Sequence, residues 1–243
     1  MTAFKNLIFG FLSLCLLSTC KPSECFFANG NIKKELRQVG FFHRLFVYDN
    51  ISVELVEGEE VWIEAGENLL PLLQTELQAD SSLVLRNKAK CNWLRSYNTP
   101  IKIYVGAKNL GYIRWESYGK LESKTQIPVA YLQVEVLGVN ALVDLNLQAI
   151  GVFLFANVGA DFKVSGKTFY LGIFMMNYSR ADALNLEAQQ ANIRQESSNH
   201  IWVNVIQKIE GDIKSYGNIF YKSLPNTLVN ISTNASGRAI ALP

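Results

Sequence analysis

The strongest constraint on this chain is a repeat between Tyr112 and Tyr221. Apolar anchors fall at Ile113, Val134, Leu154, Ile173, Ile193 and Ile213, spaced 21, 20, 19, 20 and 20 residues apart. A second anchor follows eight residues after each of the first five: Leu121, Leu142, Phe162, Ala181 and Ile201. A β-sandwich would also alternate apolar and polar positions, but its hairpins have no reason to keep one period. A coil whose rungs lie on one another at about 4.8 Å does. Two residues after the anchors come Trp115, Val136, Ala156, Met175, Gln195 and Ser215, a packing position that shrinks and turns polar along the chain. Four after come Ser117, Gly138, Val158, Asn177, Ser197 and Gly217, small or turn-forming residues at the register where the coil must bend. The expectation is an all-β solenoid with rungs of about 20 residues.

Ahead of the repeat the pattern is shorter-ranged. Ile51, Val53 and Leu55 alternate with Ser52 and Glu54, which reads as a half-buried strand. Glu57-Gly58-Glu59 reads as a turn, with Val61–Glu64 returning as the partner strand. Pro71 interrupts a leucine-rich run, predicting a single turn and then a strand into Leu77. Ser82–Arg86 and Ile101–Val105 are two further strands. These N-terminal strands continue the coil or pack on it. After Pro225, Leu228, Val229 and Ile231 are expected to cover the open end, with fraying past Asn234.

The first residues read as an address. Lys5 precedes an apolar run from Leu7 to Leu17, too short to span a bilayer. Leu17-Ser18-Thr19-Cys20 resembles a bacterial lipobox, although Thr19 departs from the usual small residue. This makes residues 1–19 a lipoprotein signal peptide, Cys20 the lipidated residue, 20–37 a tether, 38–230 the β domain and 231–243 a tail. An ordinary secreted protein cut past Ser18 is the alternative. Cys15 then leaves with the signal peptide, and Cys25 and Cys91 remain, the simplest arithmetic for one disulfide in an oxidising compartment. Closing so long a loop stabilises a fold by roughly 4 kcal/mol in the chain-entropy model.

A composition of 49% hydrophobic and 18% charged residues with a formal charge of +2 is globular and gives no case for nucleic acid. His43 and His200 are the only histidines and neither has a partner at metal-ligand spacing; no phosphate loop or nucleophile elbow is present, so no cofactor or metal is expected. A glycan-cleaving solenoid would need two carboxyl groups within about 5–9.5 Å. Counted from the anchors, Glu122 and Asp182 share a register three rungs apart, and Glu116 and Glu196 share another four rungs apart. No close pair emerges, and the expectation is a protein that is not an enzyme. From Ser81 to Trp115 there is no acidic residue, while Arg86, Lys88, Lys90 and Arg95 are interleaved with Trp93 and Tyr97. These six form a candidate ligand face for anionic glycan or lipid headgroups; the competing reading is a solvated sheet face with its aromatics in the core. Phe153, Phe155, Phe169, Phe174, Met175 and Met176 are expected to fill the coil, or the groove beside a covering loop, rather than to form an exposed patch.

Several motifs together carry a family resemblance: Asp49-Asn50-Ile51 with Val53, Glu64-Ala65-Gly66-Glu67-Asn68-Leu69, Cys91-Asn92-Trp93-Leu94, Pro100 to Val105 with Leu110, and Tyr216-Gly217-Asn218-Ile219-Phe220-Tyr221. The chain resembles the auto-transporter adhesins of the head-GIN-domain type, exported proteins of Bacteroidetes, over about residues 38 to 225. The resemblance implies a right-handed parallel β-helix, an envelope location and bridged cysteines at positions like Cys25 and Cys91. It implies no established activity. Val152-Phe153-Leu154-Phe155 and Ile173-Phe174-Met175-Met176 are more apolar than the family's Gly/Ser-rich rungs. The combined reading is an outer-membrane lipoprotein that binds without catalysis. Its partners are the membrane, through the lipid, and a glycan or another envelope protein. A self-assembling envelope component and a glycan-active enzyme are the alternatives.

Overall fold

The computed structural model describes residues 29–89, 101–138, 140–223 and 227–243. Seventeen strands among them join into one sheet. Its regular part begins with β8 (Tyr112–Ser117), β9 (Lys120–Glu122) and β10 (Ile127–Val136). It continues through β11 (Ala141–Ala156), β12 (Ala160–Asn177), β13 (Arg180–Ser197) and β14 (Ile201–Ile213), and ends in β15 (Ile219–Ser223), β16 (Leu228–Thr233) and β17 (Ala239–Leu242). Each of these pairs in parallel with its counterpart one turn on, so the backbone coils and like positions stack. The chain is a β-solenoid of stacked parallel rungs.

Alternation decides which side chains enter. Ile113, Val134, Leu154, Ile173 and Ile193 pair one above the next and are at most 3% exposed. The column extends below Ile113 to Leu45 and Leu83. Burying each such side chain stabilises the fold by roughly 1.5–3 kcal/mol, and no rung can do it alone. A second column runs Val53, Leu121, Val143, Phe162, Ala181, Ile201, Ile219. Phe162 fits because its neighbour above, Ala181, is small.

The count from the anchors slips in two places. Val143, not Leu142, occupies the second column: the turn after β10 carries one extra residue, and Leu142 points outward at 56% exposure. In the sixth rung Ile193 pairs with Gly211, and Ile213 lies over Gln195 where Ser215 was expected. Irregular pairing between β13 and β14, after Ala183 and after Ala188, absorbs two residues. Only glycine suits position 211, since a Cβ there would lie 1.9 Å from the Ile193 carbonyl oxygen. Gln195 is fully buried but satisfied: its Nε2 donates to the Asn199 carbonyl and its Oε1 accepts from the Ser197 amide.

The bends fall where small residues predict them. Asp49 and Asn177 hold positive φ at one corner, a conformation short polar side chains tolerate. Beside them the Ser117 hydroxyl accepts from the Ile51 and Gly119 amides, and the Ser197 hydroxyl donates to the Ser179 carbonyl at 2.6 Å.

The N-terminal region enters out of order. It comprises β1 (Ile32–Arg37), β2 (Arg44–Asp49), β3 (Ser52–Val56), β4 (Val61–Gly66), β5 (Leu73–Leu77), β6 (Ser82–Asn87) and β7 (Lys102–Gly106). The rung made by β2 and β3 lies between β8–β9 on one side and the later β6–β7 on the other. Antiparallel strands close this end: β5 on β6, β4 on β7, and β1 on β4. Val61–Glu64 is therefore not the partner of the strand before it. The turn at Gly58 carries β4 past β3 to the far edge of β7, which sits between the two. A 3-10 turn at Leu70–Leu72 forms where Pro71 predicts one. Strands also reach further than the sequence boundaries: β1 lies within 20–37, and β16 and β17 extend the stack to Leu242, where fraying was expected.

Candidate functional site

With the interior filled by apolar columns, chemistry is left to the outward positions. On one face these make a charged ladder. Glu54, Glu122, Asp144, Lys163 and Asp182 occupy successive rungs at one register. Lys102 Nζ lies 2.5 Å from Glu54 and 3.0 Å from Glu122; Lys120 lies 2.8 Å from Glu122 and 3.4 Å from Asp144; Lys124 lies 3.3 Å from Glu54. The side chains of Glu54, Lys102 and Glu122 are only 10%, 18% and 20% exposed.

This overturns the expectation that no carboxylates stand in adjacent rungs. The extra residue before Val143 brings Asp144 next to Glu122, and Glu54 arrives from the out-of-order rung. Their environment is nevertheless wrong for a general acid. Hydrogen bonding to Lys120, with Lys102 in support, holds Glu122 below the usual glutamate range. Burial opposes the charge on Lys102, but hydrogen bonds to Glu54 and Glu122 outweigh it and hold the lysine above its usual range. A glycosidase acid needs a raised carboxyl pKa. Here Glu122 is pushed the other way, and each ladder carboxylate is paired with a lysine.

The acid-free stretch meets acids from other parts of the fold. Lys108 pairs with Glu59 at 2.9 Å and Lys102 joins the ladder, while Arg114 pairs at 2.6 Å with Glu116 on its own strand. Of the six candidate face residues, Arg86 lies over the Tyr48 ring at 3.9 Å and Lys88 is exposed. Lys90, Trp93, Arg95 and Tyr97 lie outside the described residues, as do Cys20, Cys25 and Cys91. Trp115 is core. His43 Nδ1 contacts the Asn109 carbonyl at 2.8 Å, and His200 Nδ1 accepts from the Asn218 amide. Among the described residues no three possible metal ligands gather.

The other outward face is different in kind. Of the six Phe and Met residues expected to fill the coil or a groove beside a covering loop, only Met175 is core; the other five lie wholly or partly outside the coil. Tyr131, Gly151 and Tyr170 share one outward register, Gln133, Phe153 and Gly172 a second, and Glu135, Phe155 and Phe174 a third. The rings pack on one another and on bare backbone. Phe155 and Phe174 meet edge to face at 5.2 Å, and Phe153 and Tyr170 meet at a tilt of 41° with centroids 5.6 Å apart. A Cβ at Gly151 would lie 2.8 Å from the Tyr131 ring, and one at Gly172 2.7 Å from the Phe153 ring. The glycines are seats for the rings of the rung below. Tyr131, Ile150 and Phe169 remain more than half exposed.

No charged residue occurs in 149–160 or 168–179. Glu135 bounds this window on one side. Arg194 bounds it on the other, with its guanidinium 4.6 Å over Phe174. Uncharged amides frame it: Gln133 and Gln148, then Gln190 above Tyr170 and Asn192 above Gly172. At a nearby corner, Asn140, Leu142, Tyr178, Asn199 and the Asp161–Arg180 ion pair line a shallow groove of about 540 Å³. The sequence signal for the window was two uncharged segments, 149–160 and 168–179, in consecutive rungs, legible once outward and inward registers are told apart.

Fold and surface together define a parallel β-solenoid with a charged outer ladder on one face and a charge-free aromatic window on another. The family described as "Putative auto-transporter adhesin, head GIN domain" matches residues 41–225, and the chain belongs to that family, as its motifs suggested. The fold is shared with a "putative adhesin" from Bacteroides fragilis (TM-score 0.72, 16% identity, covering 87% of this chain and 97% of that one). It is shared too with a "putative adhesin" from Parabacteroides distasonis (TM-score 0.64, 15% identity, 88% and 98%). A third such structure is described as a "putative lipid binding protein" from the same organism (TM-score 0.62, 16% identity, 89% and 98%). No curated protein matches the sequence. No helix among the described residues is long and apolar enough to cross a membrane.

Proposed function

We propose that this chain is an exported binding module of the bacterial cell envelope, lipid-anchored at Cys20, that presents a rigid β surface to a partner without transforming it. The observation that carries the reading is the aromatic window. Exposed apolar patches of this kind mark interaction sites, and nothing in the coil requires rings at these outward positions. The adhesin family and the names of the solved relatives support a binding role; the lipobox-like Leu17-Ser18-Thr19-Cys20 supports the anchor and an outer-membrane location. A Cys25–Cys91 disulfide would tie the segment after the anchor to the fold. The face at Arg86, Lys88, Lys90, Trp93, Arg95 and Tyr97 is a second, cationic surface in this reading, suited to anionic groups.

The test is co-sedimentation with cell envelopes of the bacterium that makes the protein, using a Cys20→Ala form so that lipid cannot cause the attachment. Wild-type window residues should give saturable binding, and Phe153→Ser should lower the bound fraction. No saturable binding, or release of sugar or lipid fragments on incubation, would overturn the reading. Partition into detergent that disappears in Cys20→Ala tests the anchor separately.

A further inference from the structure

We infer that the charge-free window docks a neutral polysaccharide. The inference rests on the binding-module reading above and narrows it to one class of partner. Charge comes first. Over three rungs the registers Tyr131–Gly151–Tyr170 and Gln133–Phe153–Gly172 carry no formal charge, and charge resumes in the next register, with Glu135 at one end and Arg194 at the other. An anionic glycan or phosphate-bearing headgroup would call for Lys or Arg among the rings, and these two registers hold none; Arg194 stands at the edge, over Phe174. Hydrogen-bonding chemistry comes second. A sugar hydroxyl both donates and accepts, and so does a side-chain amide. Gln190 and Asn192 stand in the rung above Tyr170 and Gly172, in register with the rings.

Shape comes third. The rings are pre-packed against one another and against Gly151 and Gly172, so little side-chain freedom remains to be lost on binding. Aromatic faces of this kind suit the C–H face of a pyranose, an apolar body with a polar perimeter. Adjacent rungs repeat about every 4.8 Å, so three of them offer a strip about 10 Å across. That is enough for a short run of sugar units laid over Tyr131, Phe153 and Tyr170.

The test is native affinity electrophoresis of the full chain through gels containing dextran, mannan or xylan, with phosphatidylcholine vesicle flotation alongside. At least one polysaccharide should retard the protein. Phe153→Ala and Tyr131→Ala should each weaken that retardation about tenfold, as loss of an aromatic anchor does. Raising salt from about 50 to about 500 mM should leave it within about twofold, because no ion pair is involved. Lys163→Gln, on the charged face, should bind like wild type. Should Phe153→Ala fail to fold, Phe169→Ser decides, since that ring is half exposed. Three results overturn the inference: no retardation by any of the three polymers, retardation that survives all the window substitutions, or vesicle binding that the same substitutions abolish. If envelope co-sedimentation persists without polysaccharide binding, the docking class is wrong while the binding-module reading stands.

Discussion

Two outward surfaces ride on one stack of rungs, and they solve opposite problems. The ladder Glu54–Glu122–Asp144 places like charges in adjacent rungs, and Lys102, Lys120 and Lys124 neutralise them at 2.5–3.4 Å. It is complete within the molecule. The window of Tyr131, Phe153, Phe155, Tyr170 and Phe174 has no such closure: its rings pack on one another sideways, and Tyr131 and Phe153 stay open to water. The inward columns beneath both are alike, so the difference is not demanded by folding. A self-contained ladder contributes stability. A ring surface left open on an otherwise charged solenoid is better explained by a partner.

The largest effect should come from below both surfaces. Phe162 is fully buried between Val143 and Ala181 in the second inward column. Phe162→Ala should cost about 3–5 kcal/mol, read from urea unfolding monitored by circular dichroism. A loss under about 1 kcal/mol would mean that the columns do not carry the fold and that the outer surfaces cannot be treated as additions to it.

Next comes a paired comparison of the surfaces themselves. Lys102→Met leaves Glu54 and Glu122 in adjacent rungs with only the more exposed lysines nearby. It should cost about 2 kcal/mol, less than a wholly buried pair would because these side chains keep some solvent contact. Phe174→Ala removes an edge-to-face ring contact and the Arg194 stacking, and should cost only about 1 kcal/mol. If Phe174→Ala proves the more destabilising, the window is structural and the contrast between the two surfaces fails.

Much of the architecture was legible because inward positions repeat chemically. Ile113 to Ile193 announce their column by spacing alone, and the corner serines and Asn177 announce the bends. The failures share one physical cause: counting along the chain assumes rungs of constant length stacked in chain order. The extra residue after β10 moved the column from Leu142 to Val143 and hid the proximity of Asp144 to Glu122. The insertion of β2 and β3 between β8–β9 and β6–β7 hid Glu54 and its pairing with Lys102. The window is hidden for another reason. Apolar residues at outward registers look, in sequence, like more core; only the pleat tells Phe174 from Met175.

The smallest predicted effect separates the surfaces by pH. The Glu122 carboxyl is held below its ordinary value near 4.5, chiefly by the hydrogen bond from Lys120. A lowered folded-state pKa means that the unfolded chain binds the proton more readily. The stabilisation from this group is therefore full above the ordinary glutamate range and is lost as pH falls through the folded-state value. Lys102 is raised instead, so its contribution persists through neutrality and is lost only in strong alkali. Between about pH 5 and 9 the ladder should add no slope to the melting temperature. Below that range wild type should lose stability more steeply than Glu122→Gln, which has no such proton to bind. Phe174→Ala should keep the wild-type acid slope while sitting lower throughout. Parallel acid limbs for wild type and Glu122→Gln would show that the ladder's charges are spent in water rather than on one another, and the two surfaces would then differ in composition but not in energetics.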